Sequence, residues 1–243
     1  MRPQWPRSIP GRRPDGRLPH GWQGGGARGL GFAEDYAALL EALVSLAEVD
    51  DVAWLDDARR IADDLLARFG DPEGGGFFTT GTDAETLMVR PKDLQDGAIP
   101  AASSLAASGL LRLAALTGED RYAEPARRWL RTLGPLLGEH PSAFPYLLGA
   151  LERTLTPPLE VALVGAGPGL DALQREVRGR LLPNAVTLSA AAGAGADRSP
   201  LLADRPLVDG RATAYVCERF ACQAPVTDPV ALRAALDAAV TAR

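Results

Sequence analysis

The sequence predicts a mainly α fold, in which helical hairpins stack as a partial α/α toroid and a small α/β C-terminal region follows. Three observations carry this. A unit of helix, short acidic turn and second helix occurs twice between residues 31 and 156. A long connection, residues 70–100, separates the two copies. After Pro157-Pro158 the apolar pattern changes from helical spacing to a strand–helix–strand order. The chain thus divides into an irregular segment 1–30, a helical part 31–156 and an α/β part 157–243.

The elements follow in order. Residues 1–30 are rich in Pro, Gly and Arg without periodicity; 1–16 read as a tail and 17–29 as a loop or hairpin laid on a neighbour. From Phe32 the helical period begins, with Leu39, Leu40, Leu43 and Leu46 as an apolar stripe. Asp50 or Asp51 is placed to cap a second helix, with Trp54, Ala58, Ile61, Leu65 and Phe69 on one face, ended by Gly70. Residues 71–76 are a turn, and Phe77–Thr80 and Leu87–Val89 fit two strands of a short hairpin around Gly81. A third helix follows Pro100 (Leu105, Leu110, Leu113, Leu116) and stops at Gly118. A fourth runs from about Tyr122 to Leu137 (Ala126, Trp129, Leu130, Leu133, Leu136), and Gly134-Pro135 should kink or shorten its end. A fifth holds Phe144, Leu147, Leu148 and Leu151. Residues 54–60 align with 122–128. Such units cannot bury their faces alone and must stack.

In the α/β part, Leu159–Val164 and Ala185–Leu188 read as buried strands around a helix at Leu170–Leu181, a βαβ unit that favours parallel pairing. Residues 190–200 read as a flexible Ala/Gly loop. Thr213–Cys217 is a third strand and Pro229–Ala242 a closing helix.

Composition excludes several classes. A net charge of −5 does not suit a nucleic-acid surface, which needs clustered Lys and Arg. No apolar run reaches the length of a bilayer span. The basic start is not followed by an apolar stretch, so no secretory signal is expected, and a cytoplasmic location is the default. No cofactor or metal site is expected. The 26 cationic residues include a single lysine, Lys92, and the chain holds a single asparagine, Asn184. This bias points to a GC-rich genome that turns Lys into Arg wherever the two are interchangeable. A lysine that persists there either has a specific task or survives by chance.

Candidate chemistry is concentrated in two places. Arg90, Lys92, Asp93 and Asp96 put two cations and two carboxylates in one turn-rich stretch, either an acid/base or oxyanion-binding loop or a salt-bridged strap. Asp35 and Tyr36, with Glu34, open the first clear helix. They either cap it or point into a cavity. Ser103 and Ser104 begin a helix as first-turn residues. Gly165–Gly169 follows a strand and precedes a helix, yet its GxGxG spacing and Pro168 fit a tight turn better than a dinucleotide loop. Cys217 and Cys222 are redox candidates. Residues five apart on one extended strand face opposite sides, so a direct disulfide needs a turn between them, and two buried thiols are the default.

Several stretches then form a pattern: 32–37 (FAEDYA), 74–78 (GGGFF), 89–93 (VRPKD), 96–100 (DGAIP), 182–184 (LPN) and 215–227 (YVCERFACQAPVT). In this order they resemble the spermatogenesis-associated protein 20 and YyaL-type thioredoxin-domain-containing family, from about Gly16 onward. The resemblance implies the C-terminal part of a longer protein, with a thioredoxin-like domain and the first half of a six-hairpin, glycosidase-like toroid outside this chain. It implies a cavity for a carbohydrate-like ligand, with Asp35, Tyr36, Arg90, Lys92, Asp93 and Asp96 along one side. The alternative is a non-catalytic remnant or split subunit that docks on a partner completing the toroid. A thiol redox module is a further one.

Overall fold

The computed structural model describes residues 16–85 and 88–241. The expected tail up to residue 15, Leu87 and the last two residues lie outside them. Among the described residues, β1 (Gly21–Gln23) and β2 (Gly26–Arg28) form an antiparallel hairpin, as expected for 17–29. Five helices follow: α1 (Ala33–Val49), α2 (Trp54–Phe69), α3 (Ala102–Thr117), α4 (Asp120–Glu139) and α5 (Pro145–Leu155). The pairs α1/α2 and α3/α4 are the two repeat units. α3 packs on α1, on α4 and on α5.

Burial sorts these helices. α3 buries 12 of its 16 residues and is the central one, whereas α2 and α4 bury one stripe and show Asp and Arg to solvent. The repeat explains the stripes. Ala58, Ile61, Leu65 and Phe69 of α2 correspond to Ala126, Trp129, Leu133 and Leu137 of α4, and all eight are buried. Two stripe residues fall at the edge: Leu46 and Leu136 are exposed. Gly118 ends α3 at φ +71°, the left-handed stop expected of glycine.

Three local expectations are corrected. α4 continues through Gly134-Pro135 to Glu139, because Pro135 lies on the exposed side of the last turns. The carbonyl of Arg131, also an exposed residue, can then bond to water. Asp51 does not cap α2. Its Oδ1 accepts from Ala53 N at 2.9 Å in the turn before the helix, and Asp50 Oδ2 accepts from Trp54 Nε1. No strand forms at Phe77–Thr80 or at Met88–Val89. Phe77 forms an isolated bridge with Gly70 and donates its N–H to Ser103 Oγ, and Thr79 N and Oγ1 both donate to Pro91 O.

The α/β part holds β3 (Leu159–Val164), α6 (Gly167–Arg178), β4 (Ala185–Ala190), β5 (Thr213–Glu218), β6 (Ala221–Cys222) and α7 (Pro229–Thr241). The sheet order is β4-β3-β5-β6. β3 and β4 are parallel across α6, and β5 runs antiparallel to β3. Side chains alternate faces along each strand. Ala162, Val164, Val186, Leu188, Tyr215 and Cys217 join the core of the helical hairpins. Leu159, Val161, Leu163, Ala214 and Val216 pack instead with α6 and α7. One sheet thus separates two cores, and the first is continuous across Pro157-Pro158.

Gly165 is the tight turn that its spacing predicts. At φ +142°, a Cβ there would lie 2.8 Å from Ala212, so the glycine allows close backbone packing. The 190–200 segment is tied down and is not a free loop. Ser199 Oγ donates to Leu116 O at 2.5 Å, and Arg198 Nε bonds Asp56 at 2.9 Å.

The cysteines are also corrected: Cys217 and Cys222 form a disulfide. Arg219 (φ 50°) and Phe220 (φ 61°) make a left-handed turn that folds β6 back on β5 and sets Cys222 opposite Cys217. Free thiols should therefore be undetectable in the unfolded, unreduced chain, and two should titrate after reduction. Because the closed loop is short, reduction should lower stability by only about 2 kcal/mol, measured by urea unfolding with and without reductant.

Candidate functional site

Each helix leaves amides at its N-terminus and carbonyls at its C-terminus without partners. At one end of the helical array, residues 70–100 supply many of them. Ala33 N, at the start of α1, donates to Thr79 O at 3.0 Å. At the end of α2, Phe78 N donates to Phe69 O and Arg90 to Arg68 O, and Arg90 also donates to Thr80 O within the segment. Asp96 serves two helices at once. Its Oδ1 accepts from Ala101 N before α3, and its Oδ2 accepts from Tyr146 N (2.9 Å) and Leu147 N (3.3 Å) at the start of α5. Along α4, Arg128 donates to Pro72 O and Thr132 to Gly74 O.

Lys92 sits in the middle of this segment. Its Nζ donates to Asp71 Oδ2 (2.5 Å) and Gly75 O (2.7 Å) and lies 4.8 Å from the centre of the Phe78 ring. Arg90 stacks on the same ring at 4.2 Å. Asp71 in turn accepts from Glu73 N and Gly74 N. The turn closes on Trp129: Gly76, at φ +71°, leaves no room for a Cβ, which would meet the indole at 2.7 Å. The Lys92 hydrogen bond, with the two backbone amides, holds the Asp71 carboxyl down at about 2.

The structure brings Arg90 and Lys92 together on Phe78 and separates the other candidates. Asp96 has both oxygens committed to backbone amides. Asp93 is exposed. Asp35 caps α1: its Oδ2 accepts from Phe32 N at 2.8 Å and contacts His20 Nδ1 at 2.9 Å. Tyr36 is buried, not open to a cavity. Its hydroxyl accepts from Leu18 N (3.0 Å) and from Arg17 Nε (3.2 Å), anchoring the first described segment. Among the described residues, His20, Glu34 and Asp35 place ligand atoms within 4.8 Å of one another, but capping and the His20 contact account for Asp35.

A second polar group was not anticipated. Arg112 is the only charged residue of α3, and it reaches across to α1, where Glu41 Oε2 and Glu48 Oε2 each accept at 2.5 Å and Ser45 Oγ at 3.2 Å. All three charged side chains are at most 16% exposed. Glu41 Oε1 and Glu48 Oε1 are buried without a hydrogen-bond partner. Burial pushes the Glu48 carboxyl up against the pull of Arg112, and burial with the nearby Arg112 charge pushes Arg153 of α5 down. The signal was present in the sequence as a lone arginine inside an apolar helix and glutamates seven apart on its neighbour.

The Lys92–Asp71 pair sets a pH dependence. An unfolded aspartate titrates near 3.9. A folded carboxyl held lower contributes stability that is complete above about pH 4 and is lost as pH falls toward 2. Lys92→Met should lower stability at pH 7 by about 1–2 kcal/mol and flatten the loss between pH 4 and 2. Lys92→Arg should recover only part, because a guanidinium fork does not replace a point donor between Asp71 and Gly75. Urea midpoints at pH 7, 4 and 2.5 give the comparison.

No family model matches the chain. Human spermatogenesis-associated protein 20 is 34% identical over 210 residues, which cover 84% of this chain and 27% of the human protein. The rat protein of the same name matches to the same extent. An uncharacterized Caenorhabditis elegans protein is 30% identical over 204 residues, 80% of this chain and 27% of its own length. The matched stretch thus spans about a quarter of these relatives. Over most of its length, this chain is a homologue of part of spermatogenesis-associated protein 20.

Proposed function

We propose that the chain is part of a six-hairpin, glycosidase-like α/α toroid in a thioredoxin-domain-containing protein, and that it binds a carbohydrate-like ligand at the end covered by residues 70–100. One observation carries this reading: Lys92 and Arg90 are fixed over Phe78, beside Trp129, with the exposed Asp93 next in the chain. The exposed Asp93 carboxylate beside these fixed cations suits the hydroxyls of a polyhydroxylated ligand, while Trp129 is buried and backs the segment from below. Binding is favoured over hydrolysis, because the carboxylates of Asp35 and Asp96 are already engaged as caps and do not form an acid/base pair. A cytoplasmic location is part of the same proposal. A panel of neutral mono- and oligosaccharides should raise the melting temperature of this chain by a few degrees, and Asp93→Asn should abolish the shift. A panel without effect on the parent chain overturns the reading.

A second reading is a non-catalytic remnant or split subunit that docks on a partner supplying further hairpins. It is favoured by Met88, Val89, Leu94 and Ile99, four exposed apolar side chains in one connection. On this reading, light scattering during size-exclusion chromatography gives a stable complex with the remaining part of a relative. A monomer that ignores that part counts against it. The redox reading rests on the Cys217–Cys222 bond, and the near-complete burial of Cys217 limits attack on it.

A further inference from the structure

At the other end of the helices, a cleft of about 300 Å³ opens where the second half of α3, the first turns of α4 and the end of α5 meet the sheet. Four arginines line it, Arg112, Arg127, Arg153 and Arg219, against two carboxylates, Asp120 and Glu160. Most of these charges are engaged. Arg127 pairs with Asp120 at 2.5 Å, and Arg112 holds Glu41 and Glu48. Glu160, buried in β3, accepts from Phe220 N at 2.6 Å. That bond fixes the left-handed turn that presents Arg219 to the cleft.

Two cations remain. Among the described residues, neither Arg153 nor Arg219 makes a hydrogen bond or an ion pair. Arg153 is partly buried; Arg112 repels it, and Glu41, Glu48 and Glu152 attract it without making an ion pair with it. A guanidinium drawn partly out of water with no hydrogen-bonded acceptor keeps its donors open to an anion. The start of α4 also opens here, through Asp120 and Ala123, and adds the positive end of a 20-residue helix. Asn184 forms part of the wall and is itself only 7% exposed. Its Nδ2 donates to Thr156 O (3.1 Å) and Thr156 Oγ1 (3.0 Å), which fixes the orientation of the amide and leaves Oδ1 buried with no donor. An acceptor without a donor beside two unpaired cations defines the ligand chemistry: negative charge at one end and a hydroxyl at the other.

We propose that this cleft binds a small hydroxylated anion, with its phosphate or carboxylate on Arg153 and Arg219 and a hydroxyl donating to Asn184 Oδ1. The site is at the opposite end of the helices from Lys92 and does not depend on the reading of residues 70–100.

The test is isothermal titration calorimetry of the 243-residue chain at low ionic strength with glucose 6-phosphate, gluconate and glucose. At least one of the two anions should bind, and glucose should not. The anion that binds identifies the charged group as phosphate or carboxylate. Arg219→Gln and Arg153→Gln should each weaken that binding about tenfold, the worth of one charge-assisted contact. Arg233→Gln, which removes an exposed Glu176 partner on α7, should leave it unchanged. Failure of both anions to bind, undiminished binding in Arg219→Gln, or glucose binding as well as the anions overturns the proposal. Arg219 is exposed on a turn, so its variant carries the test even if Arg153→Gln fails to fold.

Discussion

Helix ends concentrate unpaired backbone polar groups, and in this protein several of them meet at one end of a five-helix array. The fold depends on how they are satisfied. Residues 70–100 do not form an independent hairpin, because many of their carbonyls and side chains are spent on other elements. Thr79 receives the first amide of α1, Phe78 and Arg90 reach the carbonyls of Phe69 and Arg68 at the end of α2, and Asp96 holds the starts of both α3 and α5. Lys92 is the pin that keeps the segment shaped for this task, through Asp71, Gly75 and the Phe78 ring. Two functional candidates thus turn out to be structural first, a frequent outcome for charged residues at helix termini.

The other end of the array solves a different problem. Here the helices meet a sheet that is apolar on both faces, so one layer closes the helical core and opens a second core under α6 and α7. The seam between helices and sheet is where charge is trapped. Arg112 bridges two glutamates of α1 at low exposure, a geometry whose Coulomb gain must offset the cost of taking three charges from water. One oxygen each of Glu41, Glu48 and Asn184 is buried here without a hydrogen bond of ordinary geometry, with the Tyr146 hydroxyl close to Glu41 and the Thr187 backbone close to Glu48.

Much of the helical part was legible because its signals are local. The stripes of α2 and α4, the stop at Gly118 and the repeat offset all follow from 3.6-residue spacing and glycine chemistry. The first three strands of the α/β part and the parallel pairing of β3 with β4 were legible in the same way, whereas the place of β5 beside β3 and the short β6 were not. What escaped were the features that depend on distant partners. Phe77–Thr80 has strand composition, but Gly70, Pro91 and Ser103 decide its pairing. Asp35 and Asp96 look alike as carboxylates near helix starts, yet only the fold shows that Asp96 serves two helices, one of them through an amide 50 residues further along the chain. Cys217 and Cys222 read as separate thiols until the turn at Arg219-Phe220 is seen to reverse the strand. Lys92 and Asn184 stood out by scarcity alone, and both proved to hold several partners.

The two oxygens of Asp96 have a consequence for the order in which the chain can become native. One partner, Ala101, is five residues away and available as soon as it is synthesised. The other, the start of α5, is made some fifty residues later. Arg112 closes on glutamates seventy-one and sixty-four residues behind it. During synthesis, the first helix pair therefore emerges with its roof half anchored and its inner glutamates without their cation. It waits for α3 and α5 before its polar groups are satisfied, so the two repeat units reach the native state together and not one after the other.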